Sequence, residues 1–397
     1  MRAMWDIFCR VIDNHGDLGV CLRLSRQLAA SGHSVRLWVD EPGALDWMAP
    51  DLARGPARGN NGLIRVLDWS LACDPISLAA LAPMSHDSVW IEAFGCELPE
   101  AFVAHGVALA QSQGWSQPAW INLEYLSAEP WVERAHGLPS PILSGPAQGW
   151  VKRFFYPGFT SRTGGLLREP DLLAQQAAFD RAAHRMGLLG SQAQGSRLIS
   201  LFCYEPAGLP DLLRGWVAGD HLLITPGRAM AAVQAAVQAA VQAEAPAASH
   251  GEALVAAPSI GLPLSGFEMP PFAHPLPHTD QAAFDRLLWA CDLNLVRGED
   301  SLVRALWAGQ ALVWHIYPQH DDAHHAKLAA FLDWLQAPPS LRRFHAVWNG
   351  IEPGPLPALR ASDLLEWQHG VGQARERLLA QTDLLGQLKQ MARTARP

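Results

Sequence analysis

The chain has 397 residues, 49% of them hydrophobic and 17% charged: a length for two domains and a composition that excludes disorder as a description of the whole. A formal charge of −8 argues against a general nucleic-acid binder, which needs a basic footprint. No run of 18 apolar residues occurs and Met1–Asp6 lacks the basic start of a signal peptide, so no membrane partner and no export are expected. Cys9, Cys21, Cys73, Cys96, Cys203 and Cys291 include no CxxC pair and read as reduced thiols of a cytoplasmic protein. Only Lys152, Lys327 and Lys389 are lysines against 27 arginines, a lopsidedness that reads as coding bias.

The opening is the most legible stretch. Trp5–Ile12 predicts a strand, Asp13-Asn14-His15-Gly16-Asp17 breaks it with turn chemistry, and Leu18, Cys21, Leu24 and Leu28 recur at helical spacing up to Gly32. Ser34–Val39 follows as a second strand, which completes a βαβ unit and implies a parallel sheet. Leu63–Leu67, Ser88–Ala93 and Ala119–Leu123 continue the pattern. It halts in the Gly/Pro/Arg stretch Tyr156–Pro170, and an amphipathic segment runs from Asp171 to Leu189. Strands then restart at Arg197–Tyr204, His221–Thr225, Ala253–Ala256, Leu293–Val296 and Ala311–His315, with helices at Gln281–Ala290, Ser301–Ala308 and Asp322–Leu335. We expect an α/β protein with a first domain over 1–162 and a second over 163–367. A C-terminal helical segment (about 368–397) is expected to pack back on the first. The AVQA repeat within Arg228–Ala243 drifts around a helix and reads as a surface-loop expansion without chemistry.

Two constellations carry chemistry. Asp13 and Asp17 sit on one loop at the C-terminal end of a strand, where a proton acceptor belongs, although a helix cap by Asp17 explains the same residues. GxGxxG fails there, since only Gly16 and Gly19 match, which weakens an NAD-dependent reading. In Cys291–Ser301, a buried strand runs into Arg297-Gly298-Glu299-Asp300 and a new helix, the parts of a diphosphate site. Glu299 and Asp300 are then either acids favoured by the helix dipole or carboxylates for sugar hydroxyls. His320 and His324 share a helix face only if the helix starts early, and Pro318 opposes that, so no metal is expected.

Phe8-Cys9 through Val11-Ile12-Asp13-Asn14-x-Gly16-Asp17-x-Gly19-Val20-Cys21 resembles the start of the bacterial enzymes that rhamnosylate an arginine of translation elongation factor P. Leu288–Asn294 leading into Arg297-Gly298-Glu299-Asp300-Ser301 is similar to their donor segment, and Trp314–Gln319 with Asp321-Asp322-Ala323-His324 to a third block. The resemblance implies a GT-B glycosyltransferase, two facing Rossmann-like domains with a cleft between them. It further implies inversion at the sugar without a metal or other cofactor, dTDP-β-L-rhamnose as donor and elongation factor P as protein partner. On this reading Asp17 is the catalytic base, Asp13 contacts the acceptor guanidinium and Glu299 is the second essential acid. The implied donor site comprises Asn14, His15, Gly16, Asp17, Phe202, Tyr204, His278, Gln281, Phe284, Arg297, Gly298, Glu299, Asp300 and Ser301. Another GT-B nucleotide-sugar enzyme, either an epimerase or a transferase to a small acceptor, and a non-catalytic partner-binding protein are the competing expectations.

Overall fold

The computed structural model describes residues 3–11, 16–53, 62–81, 84–244, 269–319 and 322–395. β1 (Met4–Cys9), β2 (Ser34–Val39), β3 (Ile64–Asp68), β4 (Val89–Ala93), β5 (Ala119–Leu123), β6 (Pro139–Pro141) and β7 (Val151–Phe155) form one sheet in the order β3-β2-β1-β4-β5-β7-β6. Only β6 runs antiparallel to its neighbour. β8 (Leu198–Leu201), β9 (His221–Ile224), β10 (Ala273–Pro275), β11 (Leu293–Arg297) and β12 (Ala311–His315) form a second, all-parallel sheet in the order β10-β9-β8-β11-β12. Strands buried on both faces read as near-continuous apolar runs, which is why β4, β5 and β12 were visible as such. The exception proves the physics in β1 and β2. Asp6 and Arg36 face each other in the register, and the buried Asp6 carboxylate accepts hydrogen bonds from Arg36 at 2.5 and 2.7 Å and from Trp38 Nε1 at 2.9 Å.

Most expected elements are present, with instructive differences. β6, β7 and β10 are strands that the sequence pattern does not predict. Val151-Lys152-Arg153-Phe154-Phe155 is only half-buried and carries two cations, so its apolar signal is broken. The expected strand Ala253–Ala256 lies outside the described residues, and the edge beside β9 is taken by β10. The amphipathic segment from Asp171 splits into Leu172–Ala177 and Arg181–Leu189, the second capped by Asp180 on the Ala183 amide at 2.9 Å. The AVQA repeat lies in a helix, Arg228–Glu244, and not in a loop. Four residues advance about 40° beyond a full helical turn. Val233 is accordingly fully buried, Val237 partly packed on the core, and Val241 64% exposed.

The C-terminal helical segment is two helices. Ala361–Leu379 buries Leu364, Trp367, Val371, Ala374 and Leu378 in the core of the second lobe. Leu384–Thr394, capped by Asp383 on the Gly386 amide, puts Leu384, Leu385, Leu388 and Ala392 into the core beside the first sheet.

Two buried histidines give the fold an acid limit. His345 Nε2 accepts the Trp314 amide at 2.9 Å and its Nδ1 lies 3.0 Å from the Leu341 carbonyl, so the ring is neutral with its proton on Nδ1. His315 Nδ1 likewise accepts the Tyr204 amide at 3.2 Å. Burial pushes His315 down to about 3 and His345 down to about 4, from 6.5. The unfolded chain therefore binds more protons below pH 6.5. Stability present above that pH is lost as the pH falls toward 4, by about 1.4 kcal/mol per pH unit for each histidine. Thermal melts between pH 7 and pH 4.5 should show this slope, and His345→Gln should make it roughly half as steep. An unchanged slope in that variant would remove His345 from the account.

Candidate active site

The order of the parallel strands reverses between β1 and β4 in the first sheet and between β8 and β11 in the second. Ligands of open α/β sheets bind at such switch points, outside the carboxyl ends of the strands. Here the segments leaving those four strands all open into one cavity of about 890 Å³: Gly16 and Asp17 after β1, Phe94 after β4, Phe202 and Tyr204 after β8, and Arg297 with Gly298 at the end of β11. Phe94 holds φ at +57°, a strained value for a bulky side chain, and packs its ring 5.0 Å from that of Tyr125.

Asp17 lies in the first turn of the helix Gly16–Ala30 and not at its cap, since the helix starts one residue before it. Tyr125, just past β5, points its hydroxyl at Asp17 Oδ2, 3.4 Å away. Burial, followed by the charges of Asp17 and Glu299, pushes the Tyr125 phenol up, so it remains a proton donor. The neighbouring Leu126 amide donates to Glu299 Oε2 at 2.6 Å, and Lys327 Nζ lies 2.6 Å from Glu299 Oε1. Two consecutive residues of the first lobe thus touch acids from both lobes. Glu124, half-buried beside them, is pushed above the usual carboxylate range by desolvation. Asp13, Asn14 and His15 lie outside the described residues.

The second lobe supplies the cationic and aromatic wall. The helix after β11 starts at Gly298, three residues earlier than expected, with Arg297 at its cap position and Glu299 and Asp300 in its first turn. Gly298 sits at φ +64°, a conformation that favours glycine, and its carbonyl accepts Trp314 Nε1 at 2.9 Å. The Ser301 hydroxyl donates back to the Arg297 carbonyl. The Arg297 guanidinium lies 4.6 Å from the Phe202 ring centre and 4.5 Å from that of Tyr204, and Arg228 lies 4.7 Å from the Tyr204 ring centre. Phe284 meets Phe202 edge-on at 5.5 Å. His278 packs its ring 4.9 Å from Trp47 of the first lobe, and Gln281 donates to the Gly19 carbonyl at 2.9 Å.

Asp300 is engaged differently from a residue open to a ligand. Arg23, 5% exposed, donates to Asp300 at 3.0 Å and through both terminal nitrogens to Asp285 at 3.0 Å. Arg304 donates to the same Asp285 at 2.9 and 2.8 Å and to Glu169 at 2.7 Å. This buried network joins the first-lobe helix to two helices of the second lobe. Removing one partner of such a network usually costs about 3–5 kcal/mol, because an uncompensated charge stays behind.

The expected donor residues Phe202, Tyr204, His278, Gln281, Phe284, Arg297, Gly298, Glu299, Asp300 and Ser301 all line the cavity, together with Gly16 and Asp17. Tyr125, Lys327, Arg23 and Asp285 belong to the same constellation and are not among the residues expected from the sequence. Tyr125 had a usable signal, as the second residue past a predicted strand on the ligand side of the sheet. In the histidine-rich loop, His320 lies outside the described residues. Asp322, His324 and His325 bring ligand-type atoms within 4.8 Å of one another, with His324 Nδ1 accepting the Gln319 amide at 3.1 Å.

A family profile described as Elongation-Factor P (EF-P) rhamnosyltransferase EarP matches residues 5–393. The chain belongs to this family. The protein-arginine rhamnosyltransferase of Pseudomonas putida KT2440 is 43% identical over 341 residues, covering 84% of this chain and 81% of the relative. That of Pseudomonas aeruginosa PAO1 is 40% identical over 364 residues and 87% of either chain. A solved structure on EarP-mediated arginine glycosylation of translation elongation factor EF-P shares 28% identity and a TM-score of 0.57 over 99% of both chains. Arabidopsis thaliana UGT89C1 complexed with UDP shares the fold alone, at 12% identity and a TM-score of 0.51 over 99% of this chain and 100% of that one. The chain is an enzyme, a glycosyltransferase of the protein-arginine rhamnosyltransferase class, and its two facing parallel sheets are the GT-B fold. Among the described residues, no helix is long and apolar enough to cross a membrane.

Proposed function

We propose that this chain transfers L-rhamnose from dTDP-β-L-rhamnose to an arginine side chain of translation elongation factor P, with inversion at the anomeric carbon and without a metal. The observation that carries this reading is the meeting of Asp17 and Glu299, from facing lobes, at Tyr125 and Leu126. Such a pair of acids beside an aromatic face suits a cationic, planar acceptor such as guanidinium. The likeness to protein-arginine rhamnosyltransferases supports the arginine and the rhamnose, and the likeness to the solved structure on EF-P glycosylation supports the protein.

In the step, a guanidinium nitrogen bonds to the anomeric carbon, the carbon–oxygen bond to dTDP breaks with its electron pair on the phosphate, and the nitrogen's proton passes to Asp17. Full deprotonation before attack is excluded by magnitude. Arginine titrates about nine units above aspartate, a cost of about 12 kcal/mol. A barrier of about 17 kcal/mol, for turnover of a few per second, leaves almost nothing for bond making. Asp17 therefore aligns the guanidinium and accepts the proton as the new bond forms, with Asp13 as the second arm of the fork. Arg297 and the amides at the start of the Gly298 helix face the departing diphosphate, supported by Arg228 at Tyr204. Phe202, Tyr204, Gln281 and Phe284 line the donor side, with His278 at the base end. A cytoplasmic site of action accords with six cysteines outside any disulfide.

The test mixes the protein with unmodified elongation factor P and dTDP-β-L-rhamnose in the presence of a chelator and follows the acceptor's intact mass. A gain of one deoxyhexose is expected. No gain, with dTDP binding retained by calorimetry, would keep the donor site and move the acceptor elsewhere. No gain and no nucleotide binding would overturn the reading.

A further inference from the structure

Lysine is rare in this chain, at three of 30 basic positions, yet two of the three lie on glutamates inside the fold. Lys152 lies 3.0 Å from the buried Glu92, and Lys327 lies 2.6 Å from Glu299. The second placement is unusual in what surrounds it. Glu299 is held at both oxygens, Oε1 by the Lys327 ammonium and Oε2 by the Leu126 amide of the opposite lobe. Lys327 Nζ is also 5.9 Å from the centre of the Tyr125 ring, whose hydroxyl points at Asp17. Lys327 and Glu299 are 21% and 18% exposed, so the pair is shielded well beyond an ordinary surface ion pair.

We infer that Lys327 is a positioning residue: its ammonium fixes Glu299 against the Leu126 amide, in the gap between the lobes, in the orientation that the transfer step uses. The choice of side chain follows from geometry. An ammonium is a compact point charge that can satisfy one carboxylate oxygen and leave the other to an amide. A guanidinium is a longer planar fork that takes both oxygens of one acid and would displace the Leu126 contact. Lys327 acts through Glu299 and does not itself reach the reacting atoms. The inference rests on the reading of Glu299 as part of the transfer site.

The experiment compares full-length Lys327→Met, Lys327→Gln and Lys327→Arg with the wild type. Losing a charged hydrogen-bond partner should speed exchange of the Leu126 amide, followed by mass spectrometry of peptides over Glu124–Ala128, by about tenfold or more. That measurement needs no substrate. With dTDP-β-L-rhamnose and elongation factor P, kcat should fall about tenfold in Lys327→Met while the donor's KM stays within about twofold, and Lys327→Arg should recover only part. Unchanged exchange at Leu126 in both the Met and Gln variants would overturn the inference. So would a loss of dTDP affinity that accounts for the whole loss of rate, since Lys327 would then be a donor ligand. If the wild type transfers nothing to elongation factor P, the proposed acceptor or donor fails while the exchange result still decides Lys327.

Discussion

Replacing Asp17 by asparagine is expected to lower rhamnose transfer by roughly 10²–10⁴-fold, the usual share of a positioned proton acceptor. Asparagine keeps the size of the side chain and can still receive the Tyr125 hydroxyl, so the helix start should survive. What it lacks is a site for the guanidinium proton and a charge to hold the cation. Affinity for dTDP should stay within about twofold, because the proposed donor contacts lie mainly on the other lobe. Intact-mass kinetics on elongation factor P and calorimetry with dTDP measure the two halves. Near-normal turnover in Asp17→Asn would remove it as the base, and Asp13→Asn at the same level would remove the loop altogether.

Arg297→Met should show the complementary pattern. Arg297 is 8% exposed, lies between the rings of Phe202 and Tyr204, and precedes the Gly298 helix start. Methionine fills much of that aromatic slot but offers no charge. If Arg297 holds the diphosphate as proposed, losing that charged contact is worth about 1.5–3 kcal/mol, or about 10–150-fold in Kd. Arg297→Lys keeps the charge without the planar fork and should fall between. The contrast between dTDP and thymidine sharpens the test, since thymidine carries no phosphate and its binding should change little. Unaltered dTDP affinity in Arg297→Met would move the diphosphate to Arg228.

Both predictions draw on residues legible in the sequence for a definite reason. In a parallel α/β sheet, a strand followed at once by a polar, glycine-containing loop and a helix delivers that loop to the ligand edge. The segments Asp13–Gly19 and Arg297–Ser301 both have this form. The helix after β11 begins three residues before the expected Ser301 because it starts on Gly298, a residue type that usually weakens a helix. The φ of +64° and the Trp314 bond to the Gly298 carbonyl are what bend the chain there. The short edge strands β6 and β10 and the half-buried β7 escape notice for a related reason: they bury little, so apolar patterning does not mark them.

Two βαβ-type halves, the loops that carry Asp17 and Arg297–Ser301 and, through resemblance, the family are legible in the linear chain. These are local properties: periodicity, turn chemistry and contiguous motifs survive in one dimension. Which side chains from distant segments meet depends on the packed fold. Tyr125 lies 108 residues from Asp17, Leu126 lies 173 from Glu299, and Arg23 lies 262 from Asp285 and 277 from Asp300. Each of these contacts crosses from one sheet edge or helix to another. None leaves a spacing in the chain, because partners are chosen by how the two lobes pack and by the cost of leaving a buried charge or amide without one.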